Sequence, residues 1–340
     1  MSSLIVVHPK FDGVWPWAAD ALHACWQAAG PTEFLRLPPD ETRPLGDVVP
    51  QPGDVKRMVV LGVPVTAACV GKFIALQEVA CQDAYSASAG ELFATRGVTV
   101  YRQNSEGFWG QSVAEYALAL TLCALRRIPQ MHHRILTDLA PWNYRPADGV
   151  GLAGQRGQQY GDDSRFTNGT VAGKRIRIVG AGNIGSRYAS FVKMLGADVA
   201  VWDPFAAEPA FHRAGSRREF HLERLVQDAE IFAPMLPLTD STRGVVTADH
   251  IRALPTGCLV VLATRANICD MPTLRARVLA DELALAADVF DVEPLPLDDP
   301  LLGRENVVHS PHNAGRTRHA NECWAAALAD QFRPRATASY

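Results

Sequence analysis

The stretch that most constrains this chain is Lys174 to Asp203, KRIRIVGAGNIGSRYASFVKMLGADVAVWD. An apolar strand, Arg175 to Val179, runs into Gly180, Gly182 and Gly185, and a helical pattern follows with Ile184, Phe191, Val192 and Leu195 on one face. After Gly196 a second apolar strand, Asp198 to Trp202, ends on Asp203. Each glycine has its own physical role. The first permits a tight turn, the second lets backbone approach a diphosphate, and the third lets the helix lie against the strand. The phosphates then meet the N–H groups of a helix N-terminus. Asp203 lies 18 residues past Gly185, where a carboxylate accepts hydrogen bonds from an adenosine ribose. Three glycines at this spacing can make nothing more than a loop. The strand before them, the helix after and the acid closing the next strand favour a dinucleotide-binding βαβ unit instead.

With 340 residues the chain is long enough for about two domains, and its 48% hydrophobic content supplies a core. The 33 basic and 36 acidic side chains leave a formal net charge of −3, without a long block of either sign. Nothing in that balance steers the protein to nucleic acid or an anionic membrane, so small metabolites are the expected partners. Seven cysteines form no CxxC pair, and an odd number spread through apolar segments points to reduced thiols in a cytoplasmic protein, with no disulfide and no metal site expected. MSSLIVVHPKF has no basic leader and too short an apolar run for a signal peptide, and Tyr116 to Leu125 is too short to span a bilayer.

Ahead of the glycine motif the pattern predicts strands at Leu4–Val7, Phe34–Leu37, Met58–Leu61 and Val98–Tyr101, with a helix at Val14–Ala29. A helix from Ser112 to Arg127 is apolar on nearly all sides, which predicts burial between layers. Ser112 with Glu115 three residues on reads as its capping box. From Pro129 to Gly173 the chain reads as an irregular, glycine-rich arm. Beyond the motif, strands Ile231–Met235, Cys258–Leu262, Leu283–Phe290 and Val307–His309 alternate with helices at Ala248–Leu254 and Met271–Ala280, which predicts an α/β architecture with a parallel sheet covered on both faces. Arg316 to Phe332 is a last helix that returns to the first unit.

In such a sheet, ligands bind beyond the carboxyl ends of the strands. Arg265, Glu293 and His312 follow three successive strands and so converge on one rim. Taken singly, an arginine, a glutamate and a histidine near strand ends are ordinary surface or loop residues. Together they form what hydride transfer to a 2-oxo acid needs: a guanidinium fork for carboxylate and carbonyl oxygens, an imidazole to give or take the hydroxyl proton, and a carboxylate to orient that imidazole. A carboxylate in that position favours the imidazolium form. His309 is the rival imidazole, expected to point into a sheet face because it lies on the strand. Asp288, inside an apolar strand, needs partners to be buried; a cofactor carboxamide or a backbone N–H are the two expected.

GAGNIG, then PLTDSTRG (Pro237–Gly244), ATRANICDMPTL around Arg265, AADVFDVEPLP around Glu293 and NVVHSPHNAG around His312 stand in the order found in the D-2-hydroxyacid dehydrogenases, which this chain resembles from about Val98 to Gly315. SVAEYALALTL (Ser112–Leu122) is similar to that family's interdomain helix. The resemblance implies a Rossmann-type doubly wound cofactor domain, residues 108–312 with the 129–173 arm. A smaller flavodoxin-like α/β substrate domain is implied for residues 1–107, completed by 313–340. It implies NAD held by Gly180, Gly182, Asn183, Ile184, Gly185, Asp203, Pro237, Thr242, Ala263 and Asp288. Arg265 is implied for the substrate carboxylate, with Glu293 the partner of His312 and His312 the acid/base.

Departures from the family pattern fall at Pro234, where a less rigid residue is common, and at Ala263, where asparagine often precedes the arginine motif. The glycine-rich turn that contacts substrate in the family corresponds here to Tyr85–Gly90, making Ser86, Ala87 and Ser88 the candidate substrate contacts. Phe108 and Trp109 are candidates to wall the cleft. The expected activity is interconversion of a D-2-hydroxy acid and a 2-oxo acid. The alternatives are a corepressor-like protein that senses NAD(H), and a phosphite or formate dehydrogenase of the same fold; formate dehydrogenases carry glutamine where this chain has Glu293. A homodimer is expected from the surface offered by the arm and the apolar helix.

Overall fold

The structure is a computed structural model that describes residues 2–83, 90–103, 106–142 and 161–334. Contacts divide the chain into two units, Met1–Trp109 with Arg316–Tyr340, and Gly110–Gly315. In the described residues the first unit holds a parallel sheet of β1 (Ser2–Val7), β2 (Glu33–Arg36), β3 (Val55–Leu61), β4 (Glu78–Gln82) and β5 (Thr99–Tyr101), in the order β2-β1-β3-β4-β5. That is the flavodoxin-like winding. Its strands carry Val, Ile and Leu on both faces, as a sheet buried on both sides requires. One face packs Met58, Val60 and Val79 against Phe73 and Phe93. Against the other, Ile5, Val7, Val59 and Leu61 meet Phe11, Trp15, Leu22 and Trp26, together with Trp324 and Leu328 from the C-terminal helix Arg318–Gln331.

In the described residues the second unit holds a seven-stranded parallel sheet of β6 (Arg175–Val179), β7 (Asp198–Trp202), β8 (Arg217–Glu219), β9 (Ile231–Pro234), β10 (Leu259–Leu262), β11 (Ala284–Ala287) and β12 (Val307–His309), in the order β12-β11-β10-β9-β6-β7-β8. Counted from β6, this is the doubly wound dinucleotide-binding order with one strand added. The winding reverses between β6 and β9, which are hydrogen-bonded neighbours from Ile176↔Ile231 to Val179↔Pro234. Loops leaving those two strands therefore part and open a crevice, where ligands of such sheets sit.

Several expectations need correction. The helix placed at Ser112–Arg127 runs from Glu106 to Arg126, so Ser112 lies inside it and is not its N-cap; the Ser-x-x-Glu signal is local, and the backbone is already helical upstream. Its buried side is Val113, Ala114, Ala117, Leu120, Thr121 and Leu125, while Leu122 is exposed, so one face rather than all sides is covered. Thr121 donates to the Ala117 carbonyl and pairs with the buried Tyr188 hydroxyl at 2.9 Å. Within the expected irregular arm the chain forms a helix, Ile128–Arg134, and buries Phe166 and Val171; residues 143–160 lie outside the described residues. After the glycine motif the helix Asn183–Met194 buries Gly185, Tyr188, Ala189 and Val192, whereas Leu195 is exposed. The helix expected at Val14–Ala29 starts at Ala18. Strand β8 and the short helices Glu208–Ala214 and Leu222–Leu225 were not foreseen, because such lengths show too few periods to read.

Candidate active site

At the C-terminal end of β6, Gly180 turns the chain at φ +104°, and a β-carbon there would lie 2.8 Å from the Leu236 side chain. A β-carbon on Gly185 would stand 2.1 Å from the Gly180 carbonyl oxygen, so the helix can approach the strand this closely with glycine at that position. Around Gly182 nothing lies within 4 Å of the corresponding point. The three glycines thus divide into turn, open approach and close packing, which is the arrangement a diphosphate needs. Gly182 is also the N-cap of the helix Asn183–Met194, and it brings no side chain to occupy the first-turn N–H groups. Asn183 and Ile184 occupy that first turn.

Asp203 closes β7 beside this turn. One of its oxygens accepts from the Ala181 N–H at 2.8 Å, the other from the N–H groups of Phe205 and Ala206 at 2.9 and 3.0 Å. The carboxylate therefore ties the glycine loop to the next loop and keeps lone pairs for a diol. Across the crevice, Thr242 donates to the Pro237 carbonyl at 2.6 Å and accepts from the Thr239 N–H at 2.8 Å, which folds the loop after β9 into a fixed turn. Ala263 is buried at the end of β10, and the Thr264 hydroxyl donates to the Pro234 carbonyl at 3.3 Å.

Beyond the ends of β10, β11 and β12, on the β9 side of the switch point, the polar trio meets. Arg265, Glu293 and His312 line one open pocket of about 220 Å³ with Leu238, Asn267, Phe290 and Asp291. His312 Nδ1 and Glu293 Oε2 are 2.6 Å apart. The other oxygen, Glu293 Oε1, accepts from the Phe290 N–H at 2.7 Å, so both ends of the carboxylate are held. With Nδ1 engaged, Nε2 is the imidazole nitrogen left for a substrate. Arg265 donates one N–H to the Thr264 carbonyl at 2.7 Å, which anchors the guanidinium and leaves further donors of its fork.

The loop that carries Glu293 is itself tied down. Arg275, from the helix Met271–Leu279, contacts Asp291 at 3.4 Å and Asp299 at 2.6 Å, on either side of Glu293. Burial pushes the Asp299 carboxyl up, but the Leu301 N–H and the Arg275 guanidinium outweigh it and hold the group below its ordinary value. His312 stands in the left-handed region at φ +52°. Asp288 is fully buried under that turn, accepting from the Ser310 hydroxyl and the N–H groups of Asn313 and Ala314.

The structure does not gather every candidate. Ser86, Ala87 and Ser88 lie outside the described residues. His309, expected to point into a sheet face, is exposed at the end of β12, the edge strand of the sheet among the described residues. Trp109 stacks on Trp15, with ring centroids 4.8 Å apart, and Phe108 packs against the same core cluster, so both have packing roles inside the first unit. Sequence reasoning missed Phe290 and Asp291 as pocket residues, although both stand in the AADVFDVEPLP motif. Among the described residues, no cluster of His, Cys, Asp and Glu side chains could hold a metal ion, and no helix is long and apolar enough to cross a membrane.

Comparison with known proteins adds a second line. Residues 118–314 match the family model described as D-isomer specific 2-hydroxyacid dehydrogenase, NAD binding domain. A D-3-phosphoglycerate dehydrogenase of Archaeoglobus fulgidus is 30% identical over 226 residues, covering 66% of this chain and 38% of that protein. A glyoxylate reductase of Korarchaeum cryptofilum is 26% identical over 234 residues, 68% of this chain and 65% of that protein. The matched region thus spans well under half the length of the phosphoglycerate dehydrogenase. Among solved structures, a phosphoglycerate oxidoreductase from Rhizobium etli superposes with a TM-score of 0.69 at 20% identity, covering 96% of this chain and 92% of the other. A D-lactate dehydrogenase from Treponema pallidum gives a TM-score of 0.66 at 18% identity, covering 96% and 95%. At such identities the structural likeness speaks for the fold.

Proposed function

The chain belongs to the D-isomer specific 2-hydroxyacid dehydrogenase family, whose cofactor is NAD, and from that premise we propose that it interconverts a D-2-hydroxy acid and a 2-oxo acid. The observation that carries this reading is the convergence of Arg265, Glu293 and His312 on one pocket. Gly180, Gly182, Asn183, Ile184, Gly185 and Asp203 would hold the diphosphate and adenosine side of the dinucleotide, with Pro237, Thr242 and Ala263 lining the opposite loops. Bound there, NADH supplies the hydride.

The side chains do the rest. Arg265 receives the substrate's carboxylate and carbonyl oxygens on its free N–H groups, which lowers the cost of charge building on the carbonyl oxygen. His312 gives its Nε2 proton to that oxygen as the carbonyl carbon becomes tetrahedral; in the oxidative direction it takes the proton back. Glu293, fixed by the Phe290 N–H, keeps the ring in one tautomer and compensates the imidazolium charge. Asp203 favours NAD over NADP, because its carboxylate already accepts the Phe205 and Ala206 N–H groups that a 2′-phosphate would need, and Pro204, Phe205 and Ala206 bring no cation. Burial pushes the Cys81 and Cys269 thiols up to about 12, which suits packing groups that stay protonated in a reducing cytoplasm.

NADH absorbance followed against glyoxylate, pyruvate, hydroxypyruvate and larger aromatic and branched 2-oxo acids tests the reading. Turnover of at least one acid is expected, slower with NADPH at matched concentration, and reduced about 10²–10⁴-fold in His312→Ala. NADH binding without turnover of any acid would instead support the dinucleotide-sensing alternative.

A further inference from the structure

The helix Glu106–Arg126 carries two glycines, and one of them is crowded. A β-carbon on Gly107 would meet nothing within 4 Å, whereas one on Gly110 would stand 2.6 Å from Cγ and Nδ2 of Asn183 and 2.7 Å from its Oδ1. The terminal amide of Asn183 therefore lies where any other residue at 110 would put its side chain. Backbone shape does not call for this glycine: it stands inside a helix without a positive φ, where alanine is the more stable residue. Room calls for it. Gly110 is buried, and what it admits is the first residue of the helix whose N-terminus faces the proposed diphosphate site. Both residues belong to the second unit.

Asn183 is held from a second direction. Arg187, one turn on, donates to the Asn183 carbonyl at 2.7 Å and to its Oδ1. Among the described residues these are neutral acceptors rather than carboxylates, so the guanidinium charge beside the glycine turn is left for an anion. The amide thus sits between Arg187 and the bare backbone of Gly110, and the protein itself sets its orientation. The same two helices meet again further along, where the buried Thr121 and Tyr188 hydroxyls pair at 2.9 Å. Contacts at two heights fix one helix against the other, so Gly110 cannot back away from Asn183 to make room for a side chain. The atoms that a methyl at 110 would displace are the far end of a flexible side chain, so the fold survives and the amide swings instead. The open approach at Gly182, next in the chain, is the space it can enter.

We propose that Gly110 is a positioning residue for the cofactor: it seats the Asn183 amide, and any side chain there would turn that amide into the path of the dinucleotide's diphosphate. The inference rests on the assignment of Gly182 and Asn183 to the cofactor site. It adds to that site a residue of the helix Glu106–Arg126, well outside the glycine motif.

The test uses the full chain as wild type, Gly110→Ala, Gly107→Ala, Asn183→Ala and the double variant Gly110→Ala with Asn183→Ala. The readouts are the NADH dissociation constant from fluorescence, the thermal midpoint, and kcat and the KM for NADH with an accepted 2-oxo acid. Gly110→Ala should bind NADH about 10-fold more weakly, the scale of losing one hydrogen bond to a charged group, with the KM for NADH rising more than kcat changes. Gly107→Ala should bind as the wild type does. In the Asn183→Ala background the change at 110 should cost less than about twofold, because an alanine at 183 no longer fills the seat and the two effects cease to be independent. An unchanged dissociation constant in Gly110→Ala overturns the proposal, as does an equal loss in Gly107→Ala or a loss that persists undiminished when residue 183 is alanine. Should Gly110→Ala not fold, the double variant decides: a midpoint restored to that of Asn183→Ala supports the contact, and a double variant equally unfolded overturns it. If the wild type binds NADH but reduces no acid, the dehydrogenase reading fails while the dissociation constants still judge Gly110.

Discussion

Arg265 carries the sharpest chemical demand of any single residue in the site. Its guanidinium is anchored on the Thr264 carbonyl and presents a planar fork, which an ammonium cannot copy even with the charge retained. Arg265→Lys should therefore cost about 2–4 kcal/mol in transition-state stabilisation, the scale for losing a polarising donor, read as a fall in kcat/KM. NADH affinity should not move, since the glycines proposed to hold the cofactor lie at β6. Near-normal kcat/KM with every accepted acid would remove Arg265 from the mechanism. The trio was legible in the sequence because each member follows an apolar strand, and strand ends of a parallel sheet share a rim. What holds the trio was not legible. The Phe290 N–H on Glu293, the Ser310 hydroxyl on Asp288 and the positive φ of His312 depend on how two loops fold back, and no periodic pattern encodes that.

Elements were legible in proportion to their length and burial. Strands β6 and β7 stand at the residues expected, since the apolar residues Ile176, Ile178 and Val179, and Val199 to Trp202, bounded by glycines and Asp203, leave little choice. The start of the helix Glu106–Arg126 was missed, because a capping signature inside a strong helix former is indistinguishable in sequence from one at its end. One element depends on a buried charge that composition hides. In β4, Glu78 accepts from the Tyr101 hydroxyl at 2.7 Å and from Arg333 at 3.0 Å, just beyond the C-terminal helix. Arg57, stacked over Trp26 and Phe332, lies 3.9 Å from its second oxygen. Burial works to raise the Glu78 carboxyl, but the Tyr101 and Arg333 hydrogen bonds and the Arg57 charge outweigh it, so the group sits below its ordinary 4.5. A carboxyl depressed in the folded state adds stability that is complete above its unfolded value and is lost as pH falls through the folded one. Glu78→Gln should thus destabilise the protein by about 3 kcal/mol at pH 7, the cost of breaking a buried pair. The gap to wild type should narrow in thermal melts taken from pH 5 to pH 3. A gap that is constant across that range would mean Glu78 acts through packing rather than charge.

At the scale of the whole molecule, the helix Ile128–Arg134 and the turn after it expose Ile128, Ile135, Leu136, Leu139 and Trp142. Large apolar side chains exposed so close together in sequence, among the described residues, are of the kind that a protein interface covers. We expect a second copy of the chain to cover it, as symmetric pairing is the commonest solution. Light scattering at micromolar concentration should give twice the 36.9 kDa of one chain, and Leu136→Glu should shift the mass toward that of one copy. A wild-type mass of one chain would contradict this. The two-unit division also has a consequence for how the protein comes into being. The first unit is interrupted at Trp109 and completed from Arg316 onward, so Ile5, Phe11 and Trp15 emerge from the ribosome well before Trp324 and Leu328, their partners in the core. Roughly 200 residues of the second unit are synthesised in that interval. At about 5–20 residues per second this leaves a half-built apolar face uncovered for about 10–40 s on every nascent chain. Birth order therefore reverses domain order: the second unit is complete in sequence first, and the first unit waits for the residues from Arg316 onward.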